Sequence, residues 1–131
     1  MWIYSSGKKN TNDRRLIITI YIYIRSGHVH NYERTYPVAH GKITSKSYHN
    51  APSFFQLIIG NAGQPEGPAL FGNGPFPDFS AVRYEGYGFS TFKVSPTSLE
   101  MIHRKANIDG TLGGIIDHFT VTKDIHRHRS E

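Results

Sequence analysis

A chain of 131 residues can close one core of its own but not two. It contains no cysteine, which excludes a disulfide framework and leaves the redox compartment unread. Fifteen Lys and Arg stand against ten Asp and Glu, a formal net charge of +5, but they are scattered rather than striped. That argues against a nucleic-acid interface as the main role.

Residues 1–15 are polar, with Gly7, Asn10, Asn12 and Asp13, and read as a poorly ordered segment. The body of the chain is expected over 16–122. It opens on Leu16–Ile24, which is β-branched and aromatic nearly throughout and predicts a strand buried on both faces. Basic residues precede this run, but no small-x-small cleavage site follows, so no signal peptide is expected. The run is also too short to cross a membrane as a helix, and no membrane partner is expected.

Gly27 then breaks the strand, and His28 and His30 follow at its end. Alternation would put both imidazoles on one side, and neutral imidazole is a common metal ligand. Two ligands do not complete a site, so the His-x-His pair alone is better read as structural or exposed. Thr35–Pro52 reads as irregular. Ser53–Ile59 is a second strand, stopped by Gly60, and residues 60–77 form a glycine–proline loop. Phe89–Val94 and Ser98–Arg104 form a hairpin around Pro96, with Leu99, Met101 and His103 on one face. Asp109–Gly110 marks a turn, Ile115–Thr122 is a last strand, and 123–131 is a charged tail. No segment has a sustained helical period, so the chain is mainly β.

Bland readings compete at each candidate. The Gly60-Asn61-Ala62-Gly63 turn lacks the Gly-Lys-Ser/Thr of a phosphate loop and is read as backbone geometry. Glu66 is expected to make a structural hydrogen bond and Tyr32 to pack. His103 should be a satisfied core histidine, and His118 has no partner in view. His40 and His49 carry no pattern. His126 and His128 form a second His-x-His, in a tail with no neighbouring strand.

The stretch Gly27-His28-Val29-His30-Asn31-Tyr32-Glu33-Arg34 resembles the last metal-binding motif of the purple acid phosphatases, GHVHxYER. Ile58-Ile59-Gly60-Asn61-Ala62-Gly63 with Glu66-Gly67 is similar to the family's I-G-N-x-G-x-x-E-G segment. Further similarities follow in order at Phe79–Arg83 with Tyr87–Phe89, and at Met101–Arg104 with Asp109-Gly110. The resemblance spans Gly27 to Lys123. It implies a mainly β, C-terminal fragment of an αββα metallophosphatase sandwich. It also implies a phosphate monoester substrate, a secreted compartment, and a dinuclear centre of Fe(III) plus a divalent Zn, Fe or Mn ion. Such a centre clamps phosphate oxygens and supplies a hydroxide nucleophile. The family roles fall on His28 for the divalent ion and His30 for iron. Glu33 and Arg34 would either orient the histidines or form a surface pair.

The departure matters as much. The family builds its centre from seven ligands, and the residues ahead of Gly27 contain no Gly-Asp, no Gly-Asn-His-Glu and no histidine. Residues 1 to about 20 do not resemble the family. Five of the seven ligands lack a counterpart, and no catalytic residue is assigned. The expectation is a C-terminal piece that is inactive alone. The rival is a non-catalytic remnant or interaction module that associates, with itself or another chain, through open sheet edges.

Overall fold

The computed structural model describes residues 22–26 and 28–124, and for 22–26 the backbone only. The expectations for residues 1–15, for Gly27, for burial of the first strand and for His126 and His128 lie outside the described residues. Nine strands are described, with no helix among them: β1 (Ile22–Ser26), β2 (Tyr32–Thr35), β3 (Val38–Ala39), β4 (Lys42–Ile43), β5 (Phe55–Ile59), β6 (Ser80–Tyr84), β7 (Gly88–Val94), β8 (Ser98–Ala106) and β9 (Leu112–Thr122). No described helix is long and apolar enough to cross a membrane.

The strands form two main sheets. One has the order β1-β5-β2-β6, the other β7-β8-β9, and β3-β4 is a separate ribbon. Strand β1 runs parallel to β5, and β2 runs antiparallel to both β5 and β6. The inner faces meet in one core of Tyr32, Tyr48, Phe55, Leu57, Leu99, Met101, Phe119 and Val121. At one end of it the Phe55 and Phe119 rings meet edge to face at 5.6 Å, with Tyr48 against both.

The expected strands at 53–59, 89–94, 98–104 and 115–122 are present with small shifts. In β8 the buried residues are Leu99, Met101 and His103, the predicted face. The hairpin link is Ser95–Thr97, as the position of Pro96 suggests. Strand β9 begins earlier than expected, at Leu112, because its ladder with β8 absorbs register shifts near Arg104.

One region differs from expectation, and two further strands lie where the sequence assigned no element. Thr35–Pro52 is not wholly irregular: β3 and β4 pair around His40 (φ 50°) and Gly41 (φ 73°). Positive φ at both central residues is the type I′ geometry that matches strand twist. Tyr32–Thr35 and Ser80–Tyr84 are also strands, although charges interrupt their apolar pattern. Both exist because β2 is paired on both sides, so its backbone groups are satisfied whatever its side chains prefer.

The second sheet outruns the first. Phe92 and Val94 on edge strand β7 pair directly with Met101 and Leu99, on the same inner face. Met101 and Leu99 are buried, but Phe92 is 39% and Val94 60% exposed.

Candidate metal centre

The first sheet positions the histidines. Ser26, the last residue of β1, and Tyr32, the first of β2, both register with Ile59 at the end of β5. Residues 28–31 therefore lie where the chain passes the carboxyl end of β5. Strand ends of this kind are where ligand sites gather in α/β sheets. The crossing is a bend rather than a continued strand, and His28 sits at φ 62°. The expected alternation thus does not govern the pair. A left-handed histidine costs backbone energy and persists only where the surroundings over-determine it. His28 is exposed and His30 half-buried.

Two backbone bonds clasp the turn. Ala69 N donates to the His30 carbonyl at 2.8 Å, and Gly60 N donates to the Asn31 carbonyl at 3.1 Å. The Gly60–Ala69 loop is the partner in both. It is braced internally by Gln64 Nε2, which donates to the Gly67 carbonyl at 2.9 Å. Gln64 thus makes the loop bond expected of Glu66, which is exposed.

Beneath the turn lies a buried polar joint. Tyr32 Oη donates to Asp117 Oδ2 at 2.6 Å, and Arg34 forks onto both Asp117 oxygens at 2.6 and 2.9 Å. Arg34 also donates to Tyr48 Oη, which donates on to the Thr35 carbonyl at 2.7 Å. Burial together with the Asp117 hydrogen bond pushes the Tyr32 phenol up, and burial raises Tyr48. Burial works against the Arg34 charge, but its bonds to Asp117 outweigh this and hold it firmly protonated. The Tyr32 ring stacks on His103 at 4.0 Å, with the planes 13° apart. Tyr32 therefore packs as expected, with a polar bond besides.

Arg34 is neither half of a surface pair nor bonded to a histidine: its ion pair is buried and binds the two sheets. Glu33 points to the other face of β2, where it accepts from Ser80 Oγ at 2.5 Å and lies 3.4 Å from Arg83 Nε. His103 is fully buried and satisfied, as expected. His118 does have a partner, Glu100 Oε1 at 2.8 Å across the β8–β9 ladder. His49 is held at 2.8 Å by Thr122 Oγ1, and His40 occupies the β3–β4 turn. Asp117, Tyr48 and Asn61 are the structural residues that sequence reasoning missed. Asp117 had a signal: it shares the inward parity of Phe119 and Val121, and a charge there requires a buried partner.

The two imidazoles have the right chemistry for Zn or Fe. Their number does not suffice. Among the described residues no group of three or more His, Cys, Asp or Glu is placed to hold a metal ion. His28 and His30 by themselves therefore do not fit a dinuclear centre.

The chain belongs to the purple acid phosphatase family, over the C-terminal part of those proteins. Residues 53–114 match the model of the iron/zinc purple acid phosphatase-like protein C domain. Purple acid phosphatase 1 of Ipomoea batatas is 33% identical over 92 residues, which is 65% of this chain and 19% of that protein. The probable inactive purple acid phosphatase 1 of Arabidopsis thaliana is 36% identical over 100 residues, 75% of this chain and 16% of that protein. The structure of purple acid phosphatase PPD1 from yellow lupin (Lupinus luteus) seeds matches with a TM-score of 0.63 and 29% identity. It covers 78% of this chain and 18% of its own. The chain spans less than a fifth of the length of these relatives.

Proposed function

We propose that the chain is the C-terminal part of a metallohydrolase that cleaves phosphate monoesters at a centre of Fe(III) with Zn, Fe or Mn. In this reading His28 donates to the divalent ion and His30 to iron. Arg34 and Glu33 act at one remove, anchoring β2 and so the turn that precedes it. The reading places the intact enzyme among secreted proteins. It also holds that these 131 residues alone do not hydrolyse phosphate esters. One observation carries that half: the described residues bring no third metal-binding side chain to the pair. The matched relatives include both a purple acid phosphatase and a probable inactive one, so this C-terminal region is compatible with either outcome.

The test is hydrolysis of p-nitrophenyl phosphate by the purified chain, supplied with iron and zinc. Activity at the level of the blank is expected. Metal-dependent turnover that disappears in His28→Ala or His30→Ala would sink the proposal of inactivity.

A second reading, self-association, is favoured by Phe92 and Val94, exposed on β7, which is an edge strand among the described residues. Sedimentation of the wild-type chain should show a dimer or larger species that Val94→Lys converts to monomer. A monomeric wild type removes this reading.

A further inference from the structure

The Gly60–Ala69 loop stands between the His-bearing turn and the second sheet. On one side it grips the turn by the two backbone bonds to His30 and Asn31. On the other it is fastened by Asn61, which is fully buried. Asn61 Nδ2 donates to the Gly86 carbonyl at 2.6 Å and to His103 Nε2 at 3.2 Å. The Asn61 carbonyl accepts from Gly88 N at 2.9 Å. Turning the amide over would set Oδ1 against the Gly86 carbonyl, so its orientation is fixed. His103 Nε2 must then accept. The proton of the neutral ring sits on Nδ1, which donates to Ser90 Oγ at 2.9 Å. Gly88 makes the approach possible: a Cβ there would lie 2.6 Å from both His103 Nε2 and the Arg104 carbonyl.

We propose that Asn61 is a positioning residue for the His28–His30 pair, latching the Gly60–Ala69 loop to neutral His103 so that the loop holds the His-bearing turn. This rests on the reading of His28 and His30 as ligands. The latch depends on protonation because a proton on Nε2 would face the Asn61 amide hydrogens and replace the acceptor with a donor. Burial lowers His103 to about 4, with Asp117 opposing the shift. The ionisable groups packed around it are Tyr32 on β2, Tyr84 on β6 and Asp117 on β9, the last paired with Arg34. The latch is closed at neutral pH and opens in acid.

The experiment is NMR on the labelled 131-residue chain, reading amide exchange at Gly60 and Ala69, with Zn²⁺ as the metal probe. In the wild type at neutral pH both amides are protected, and Zn²⁺ shifts the ring signals of His28 and His30. In Asn61→Leu, exchange at Gly60 and Ala69 rises about tenfold or more while the β8 and β9 amides keep their protection. The apparent Zn²⁺ affinity falls about tenfold, the usual scale for loss of a residue that orients ligands. Asn61→Asp adds a sign that a purely structural role would not produce. Its carboxylate accepts from protonated His103, so the loop amides become better protected as pH falls, the reverse of the wild type. If the Leu variant unfolds, the Asp variant decides. Unchanged exchange in Asn61→Leu, or the wild-type pH sign in Asn61→Asp, overturns the latch. A protected wild-type loop beside histidines that ignore Zn²⁺ overturns the ligand reading, and with it the positioning role.

Discussion

His103 and the His28–His30 pair lie on opposite sides of one loop, and the fold treats them in opposite ways. His103 is sealed between sheets, with both ring nitrogens engaged and Tyr32 stacked on its face. His28 and His30 sit on a bend at the strand ends, and among the described residues no hydrogen bond engages either ring. An imidazole whose nitrogens are satisfied inside the protein has nothing left for a metal. One held by its backbone alone does. The difference shows why counting histidines says little: eight are present, and their hydrogen bonding, not their number, separates structural from candidate ligand.

Both regions depend on the buried joint of Tyr32, Arg34 and Asp117. Asp117→Ala leaves Arg34 charged and buried without its partner and removes the acceptor of Tyr32. Removing one member of a buried pair costs about 3–5 kcal/mol, which urea unfolding of the chain should register.

Acid tests the sealed side alone. The His103 pKa is lowered from 6.5 to about 4, so the unfolded chain binds its proton first as pH falls. The stability contributed by neutral His103 is complete above pH 6.5, is lost progressively between 6.5 and about 4, and changes no further below that. The loss is on the order of 3 kcal/mol, converting the shift at about 1.4 kcal/mol per unit. Urea midpoints measured across this window should fall in the wild type and flatten in His103→Gln.

Gly88→Ala perturbs the same side without a change of charge. Its Cβ would meet backbone at Arg104 as well as the His103 ring, and overpacking of this kind costs about 1–3 kcal/mol. The smallest effect belongs to the turn. His28→Asn should stabilise by about 1 kcal/mol or less, because asparagine tolerates the left-handed region better than histidine. It should also abolish the Zn²⁺ shift at position 28. A destabilised His28→Asn would show that the histidine side chain itself holds the bend.

Much of the second sheet is legible in the chain. The alternation of Leu99, Met101 and His103, the link at Pro96 and the turn at Asp109-Gly110 all depend on neighbours close in sequence, and β7, β8 and β9 follow from them. The first sheet is less legible. Nothing local marks Tyr32-Glu33-Arg34-Thr35 as a strand, because its partners lie far away: Leu57 and Ile58 on one side, Val82 and Arg83 on the other. The His pair was visible as a motif, but its geometry was not, since strand alternation fails once the chain must bend across β5 with His28 at positive φ.

What is legible in the chain alone is therefore local and compositional: the β character, the β7–β8 hairpin and the turn before β9, the inward parity of His103, and the His-x-His motif that carries the family resemblance. Only the tertiary structure decided what each polar residue does. Arg34 and Asp117 are 83 residues apart and meet as a buried pair, while Asn61 crosses 42 residues to reach His103. Burial makes an unpartnered charge or amide costly, so polar residues brought inside pair most of their groups. Which partner each one finds depends on how the sheets stack, and pairings over such separations leave no period in the chain.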